Sequence, residues 1–128
     1  MTREIISTPN APAAIGPYSQ GIKFSGTLVY TAGQLSIDPT TGELKGTTAS
    51  EQTEQVLKNI SAILEAAGTS LSNIVKATVF LKNMEDFAEM NKVYMKYIPN
   101  SPPARSAFEI ARLPKDALVE IECLAVAP

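Results

Sequence analysis

The segment Leu118–Val126 alternates between two kinds of side chain, and this pattern constrains the fold more than any other feature of the sequence. One set of positions is uniformly apolar and consists of Val119, Ile121, Cys123 and Ala125. The other set places two carboxylates among aliphatic residues, namely Leu118, Glu120, Glu122, Leu124 and Val126. A period of two predicts a β-strand with one set on each face. Because both faces carry aliphatic residues, we expect both faces of its sheet to be covered.

Two segments predict amphipathic helices that can cover one of these faces. In the first, Thr48 and Glu51 form a capping box, and Gly68 stands where a helix commonly ends. Its apolar face consists of Val56, Leu57, Ile60, Ile63, Leu64 and Ala67. The second helix is predicted to begin at Asn83 and to end before Pro99. Its apolar face consists of Phe87, Met90, Tyr94 and Tyr97.

The remaining segments predict further strands. Residues 21–24 and 27–31 suggest a hairpin, residues 74–82 alternate with a period of two, and residues 104–111 supply one more strand before the last. Residues 7–21 are rich in proline, glycine and small residues and predict an irregular segment. The predicted order is ββαβαββ, an α+β sandwich in which two helices pack on one face of a mixed sheet.

Length and composition limit the protein to one domain and exclude several kinds of chemistry. The chain has 128 residues with 45% hydrophobic and 19% charged side chains, enough for a single core over residues 1–128. It has no histidine and one cysteine, which excludes imidazole catalysis and Cys/His zinc sites. A net charge of −2 argues against nucleic acid as a partner, and no apolar run approaches a membrane span. We therefore expect a cytoplasmic protein without a metal.

The second face of the last strand needs a cover that two helices in one layer cannot provide. Another subunit is the simplest cover, so we expect a homo-oligomer with carboxylates at its interface. Arg105, which follows Pro102 and Pro103, is the best candidate partner for those carboxylates. Two hypotheses stay open at this point. Arg105 forms an interface ion pair, or it holds a small anionic ligand while Glu120 or Glu122 handles protons and water.

Several blocks of sequence resemble the Rid family of reactive intermediate deaminases, also called the YjgF family. These blocks are residues 11–21 (APAAIGPYSQG), 32–34 (AGQ), 75–80 (VKATVF), 103–106 (PARS) and 119–122 (VEIE). The similarity runs nearly from end to end, and the block from Pro103 to Glu122 is the most specific. Within the family the sequence is similar to the RidA branch, which is marked by an arginine at the position of Arg105.

This resemblance implies a chorismate mutase-like fold and a homotrimer with three ligand clefts between subunits. It implies hydrolysis of 2-imino acids, such as 2-iminopropanoate and 2-iminobutanoate, to 2-oxo acids and ammonia, without a cofactor. These imines arise from enamines that pyridoxal phosphate enzymes release. By position, Arg105 would bind the substrate carboxylate and Glu120 would orient the attacking water. The other residues implied to line the cleft are Tyr18, Gly33, Asn91, Ala107 and Pro114.

The sequence departs from the family pattern at two positions. Ala107 stands where many members have cysteine, and Ala32 stands where some have serine. The arginine and the carboxylate remain, so we expect these changes to affect substrate preference more than the reaction. Two alternatives stay open. One is a trimeric regulatory module that binds small carboxylates without turnover, and the other is a ribonuclease or translation inhibitor, which the pI of about 5.1 disfavours.

Overall fold

Six β-strands and two α-helices make up the fold of residues 1–128, which a computed structural model describes in full. In chain order they are β1 (Thr2–Ile6), β2 (Gly21–Ser25), β3 (Thr27–Tyr30), α1 (Ala49–Ala66), β4 (Ile74–Leu81), α2 (Phe87–Tyr97), β5 (Ala104–Glu109) and β6 (Val119–Ala127). Short 3-10 turns precede β4, α2 and β6. The predicted α+β class with two helices is confirmed.

The strands form two sheets. Four of them make a mixed sheet in the order β3-β6-β4-β5, in which β4 and β5 are parallel and the other pairs are antiparallel. Helix α2 is the crossover between the two parallel strands, as such a pair requires. Strands β1 and β2 form a separate antiparallel sheet of two strands.

Both helices pack on one face of the mixed sheet, as predicted. The core cluster takes Val56, Leu57, Ile60 and Leu64 from α1, with Met90 and Tyr94 from α2. From the sheet it takes Ala77, Val79, Leu81, Val119, Ile121, Cys123 and Ala125. The alternation expected along β4 fails at one point. A β-bulge between Ile74 and Lys76 puts Ile74, rather than Val75, opposite Ala125 and into this cluster.

Local signals located the helix ends well. The Thr48 side chain accepts from the Glu51 backbone N–H, and the Glu51 side chain accepts in return, so the capping box at α1 is confirmed. Gly68 follows the C-cap residue with a φ of +81°, a conformation that glycine adopts without strain. Asn83 differs from its prediction, because it caps the 3-10 turn Met84–Asp86 and the α-helix begins at Phe87.

The predicted hairpin of residues 21–31 is wrong. β2 and β3 follow each other closely, but β2 pairs with β1, whereas β3 pairs with β6. Strand β1 was not predicted, because four of its five residues are exposed and it has no apolar face to detect. In the mixed sheet, β4 lies between the two C-terminal strands β5 and β6. The wrong hairpin concerns the choice of a strand's partner, which depends on contacts distant in sequence.

The other face of the mixed sheet, here called the open face, has no helix packed on it. Leu28, Tyr30 and Phe108 are 57%, 69% and 50% exposed on it. Phe80 and Phe108 stack there with ring centroids 6.4 Å apart. Glu120 lies opposite Phe80 in the strand register and therefore shares this face. The open face thus combines exposed aromatic and aliphatic residues with carboxylates.

Candidate active site

Arg105 and Glu120 lie on opposite faces of the sheet. Arg105 is in register with Ala77, which belongs to the helix-covered core, and Glu120 is in register with Phe80 on the open face. Residues that face each other across paired strands project to the same side. The two ion pairs within the chain are Lys82–Asp116 and Lys96–Glu54, so Arg105 has no carboxylate partner there. Arg105 and Glu120 can meet only if two chains contribute to one site.

The guanidinium of Arg105 is held by α2. Its Nη1 donates to Oδ1 of Asn91 at 2.7 Å, and its Cζ lies 5.4 Å from the ring centroid of Phe87 and 4.9 Å from that of Tyr94. Partial burial lowers the pKa of Arg105 below its ordinary value, an effect that the nearby Tyr94 opposes. An arginine remains charged at neutral pH despite such a shift. The result is a half-buried cation without an anion, which is a suitable receptor for a carboxylate.

Four of the residues predicted for the cleft meet in one cavity of about 310 Å³. They are Tyr18, Asn91, Arg105 and Ala107. The sequence analysis did not assign the other lining residues to a site: Ile15, Gly16, Met84 and Phe87. Phe87 could have been found, because it stands four residues before Asn91 on α2 and therefore lies on the same side of the helix. We refer to this cavity as the arginine pocket.

The segment around Tyr18 is fixed to the two prolines that directly precede β5, the strand that carries Arg105. The backbone N–H of Ser19 donates to the Pro103 carbonyl at 3.0 Å, and its hydroxyl donates to the Pro102 carbonyl. The Gln20 side-chain amide donates to the carbonyls of residues 8, 11 and 12 and so folds the preceding loop onto itself. These bonds explain how an irregular segment can hold one wall of the arginine pocket.

Gly33, Pro114 and Glu120 meet in a second cavity, of about 530 Å³, which we call the glutamate pocket. Asn59 and Ile63 of α1 line it as well, although Ile63 was predicted to belong to the core. Gln34 pairs with Ile121 through two backbone hydrogen bonds, so the loop after β3 continues along β6 beside Glu120.

Asn59 was missed by sequence reasoning. Its Nδ2 donates to the carbonyls of Leu35 and Ile37 at 3.1 and 2.9 Å. These two bonds tie α1 to the loop that carries Gly33. The sequence gives little indication of this role for Asn59, since asparagine in a helix is common on solvated faces.

Glu120 and Glu122 share a face but have different surroundings. Burial, followed by the charge of Glu122, raises the pKa of Glu120 above its ordinary 4.5. No hydrogen bond of the chain reaches the Glu120 carboxylate, whereas Glu122 accepts one from the Tyr30 hydroxyl at 2.8 Å. That bond in turn raises the pKa of Tyr30. The Glu120 carboxylate is therefore not engaged by a hydrogen bond within the chain, and it faces the glutamate pocket.

Gly33 makes room for the Glu120 carboxylate. A Cβ at position 33 would lie 2.5 Å from Oε2 and 2.9 Å from Cδ of Glu120. Such distances are shorter than any real contact, so either the backbone or the carboxylate would have to move. The carboxylate is the far end of a flexible side chain and would move first. Glycine at this position therefore keeps the carboxylate in its present place.

We expect Gly33→Ala to lower any activity that depends on the Glu120 carboxylate by about ten- to hundredfold, since displacements near 1 Å have effects of this size. The melting temperature should change little, because the displaced group is a side-chain end. Gly21→Ala is the matched control, because its added Cβ would meet only Ile6, at an ordinary 3.7 Å. Comparison of both variants by reaction rate and thermal unfolding checks this, and an unaffected Gly33→Ala would contradict it.

Other candidate groups have structural roles. Burial raises the pKa of Cys123 to about 11, although a hydrogen bond from the Thr31 hydroxyl opposes this effect, so the thiol stays protonated at neutral pH. No group of three or more His, Cys, Asp or Glu side chains is arranged to hold a metal ion. No helix is both long and apolar enough to cross a lipid bilayer.

Comparison with known proteins defines the family to which this fold and site belong. Residues 8–127 match the family model described as Endoribonuclease L-PSP. Relatives with half or more of their residues identical span nearly the whole chain, among them a RutC family protein of Pyrococcus horikoshii that is 57% identical over 96% of this chain and 97% of its own. The chain belongs to the Rid/YjgF family, as its sequence blocks indicated.

Relatives within the family include deaminases. The 2-iminobutanoate/2-iminopropanoate deaminase of Bos taurus is 49% identical over 98% of this chain and 91% of its own. Among solved structures, a Thermotoga maritima protein has a TM-score of 0.78 at 46% identity, covering 98% of both chains. Escherichia coli TdcF, solved with bound serine, has a TM-score of 0.75 at 43% identity, covering 98% of this chain and 99% of its own.

Proposed function

We propose that this protein hydrolyses 2-imino acids, such as 2-iminopropanoate and 2-iminobutanoate, to 2-oxo acids and ammonia. The observation that carries the proposal is the state of Arg105, a half-buried guanidinium with one hydrogen bond to Asn91 and no anion. Its remaining N–H donors are available to a ligand carboxylate. The name of the bovine relative and the serine bound to TdcF support a small ligand with a carboxylate.

The reaction needs positioning more than a strong catalyst. In a protonated imine, C2 is already electrophilic, so water can add to it and form a tetrahedral carbinolamine. The C–N bond then breaks, ammonia leaves, and the 2-oxo acid remains. Arg105 would hold the carboxylate through two parallel hydrogen bonds, which fixes C2 in the cleft. Glu120 would accept a hydrogen bond from the water, take its proton as the C–O bond forms, and return that proton to the amino nitrogen of the carbinolamine. The carbinolamine hydroxyl loses its proton to solvent as the C–N bond breaks and ammonia leaves.

The cleft of this proposal is made by two subunits. The arginine pocket and the glutamate pocket have no lining residue in common, and their two key side chains lie on opposite faces of the sheet. Each pocket would therefore supply half of a site, with the arginine half from one chain and the glutamate half from its neighbour. A closed ring of three chains would then hold three such clefts. The exposed Leu28, Tyr30 and Phe108 of the open face support its burial in that ring.

We expect the protein to be a homotrimer in solution. An open face with exposed aromatic residues is stabilised by burial against other copies, and the resemblance to the Rid family implies that the copies number three. Light scattering coupled to size exclusion at micromolar concentration measures the mass directly. The expected mass is three times that of the 13.7 kDa chain. A monodisperse monomer would contradict both the trimer and the shared cleft.

A carboxylate-binding module without turnover is the second candidate, since the arginine pocket alone would suffice for it. A ribonuclease, the activity after which the family model is named, is less well supported, because the chain is acidic and has no histidine. Salt-dependent RNA affinity together with cleavage that survives extensive purification would favour it.

An imine-clearance assay separates the first two functions. A pyridoxal phosphate-dependent dehydratase acting on serine or threonine releases the enamine, which tautomerises to the imine. We expect this protein to shorten the lifetime of the imine at catalytic concentrations. If the imine disappears only at the rate seen in buffer, while 2-oxobutanoate still binds, the protein is a binding module.

A further inference from the structure

Three residues of α2 contact the Arg105 side chain, and their spacing makes this possible. Phe87, Asn91 and Tyr94 stand at i, i+4 and i+7, so they form one stripe along the helix. The Asn91 amide oxygen accepts from Nη1, while the two rings lie within 5.4 Å of the guanidinium carbon, measured to their centroids. One helical stripe therefore supplies every close polar or aromatic contact of the Arg105 guanidinium described above.

Aromatic rings are well suited to hold this particular cation. A guanidinium is planar and weakly hydrated, so it can lie against an aromatic ring and still donate hydrogen bonds at its edge. A carboxylate at the same place would compete for the N–H donors that a ligand needs. Two rings and one amide instead stabilise the charge and leave most of those donors free.

We propose that Phe87 and Tyr94 are positioning residues, forming an aromatic cradle that fixes the orientation of the Arg105 guanidinium for a ligand carboxylate. This inference rests on the proposed carboxylate-binding role of Arg105 and adds residues that the sequence analysis assigned only to packing. The residues act through Arg105 and need not touch the reacting atoms. The cradle should therefore affect ligand binding more than the chemical step.

The Tyr94 hydroxyl is separable from its ring. Tyr94 is fully buried, and its hydroxyl has no hydrogen-bond partner. Burial raises the pKa of Tyr94 well above its ordinary 10, so the hydroxyl keeps its proton at neutral pH and is not a base. The ring is thus the part of Tyr94 that contacts the Arg105 guanidinium, and phenylalanine at this position should hold the guanidinium as well as tyrosine does.

The test compares substitutions that keep or remove the rings. The variants are Tyr94→Phe, Tyr94→Leu and Phe87→Leu, with Tyr97→Leu as the matched control on the same helix. Tyr97 is a partly buried aromatic residue whose hydroxyl donates to the carboxylate of Glu54 on α1. Each variant is measured for 2-oxobutanoate affinity by calorimetry, for KM and kcat in imine hydrolysis, and for melting temperature.

We expect Tyr94→Leu and Phe87→Leu to weaken 2-oxobutanoate binding and raise KM by about tenfold, within the range of cation–π contributions at partly desolvated sites. Their kcat should change less than about threefold, because the cradle acts on binding. Tyr94→Phe should bind within about twofold of the wild type, and so should Tyr97→Leu.

Two results would overturn the cradle. One is wild-type affinity in folded Tyr94→Leu and Phe87→Leu, and the other is a Tyr94→Phe variant as weak as Tyr94→Leu, which would assign the role to the hydroxyl. If Tyr94→Leu does not fold, the partly buried Phe87→Leu decides alone. A wild type that binds 2-oxobutanoate but hydrolyses no imine would end the proposed deaminase function, while the binding series would still test the cradle.

Discussion

Arg105→Lys should lower kcat/KM for imine hydrolysis by about a hundredfold or more while leaving the assembly intact. Lysine keeps the positive charge but has neither the planar pair of donors that matches a carboxylate nor the flat surface that lies against Phe87 and Tyr94. The substrate would then be bound without a fixed orientation, and orientation is the main contribution that this cleft can make. Activity with enzymatically generated imine, together with light scattering, measures both parts of this expectation.

Arg112→Lys is the matched control for this change. Arg112 is exposed, and no hydrogen bond or ion pair of its side chain occurs in the chain, so its replacement should leave activity unchanged. Near-wild-type hydrolysis by Arg105→Lys would show that only the charge of Arg105 matters. Arg105 would then be better explained as one partner of an ion pair between subunits.

Glu120→Gln should reduce turnover at least tenfold, since a positioned acid–base group contributes about 10²–10⁴-fold. Glutamine fills nearly the same space but cannot take a proton from water. Binding of an unreactive 2-oxo acid at Arg105 should be largely preserved, because Arg105 lies in the other pocket. Rate, 2-oxo acid affinity and melting temperature together distinguish a chemical defect from a folding defect.

Glu122→Gln is the natural comparison, because Glu122 lies two residues along the same strand face. Its carboxylate is already engaged by the Tyr30 hydroxyl, so we expect its replacement to act through stability, if it has any effect. An active Glu120→Gln beside an inactive but folded Glu122→Gln would move the catalytic carboxylate two residues along β6.

The sequence predicted those parts of the fold whose signals are local. The capping box of Thr48 and Glu51 and the glycine after α1 involve residues a few positions apart, and the structure has both. Partner choice among strands is different. The sequence around Gly26 suits a tight turn, yet each flanking strand pairs elsewhere, β2 with β1 and β3 with the distant β6.

The candidate site shows the same division between local and distant information. The period of two along β6 places Glu120 and Glu122 on one face, and this follows from the sequence alone. The face taken by Arg105 depends on the register of β5 against β4, which the sequence does not contain. Asn59 was missed for a similar reason, since its value lies in two carbonyl groups about twenty residues away. Residues that support a site through tertiary contacts leave little local pattern to detect.

The placement of Arg105 and Glu120 on opposite faces has a consequence for inheritance. In the proposed trimer, a chain that has lost Arg105 still contributes Glu120 to the cleft that it shares with one neighbour. A chain that has lost Glu120 still contributes Arg105 to another cleft. Two alleles that are each inactive alone can therefore restore one another when their products assemble together. Selection then acts on the cleft between two chains. A substitution in one chain abolishes activity in a cleft only when that chain supplies the substituted residue to that cleft.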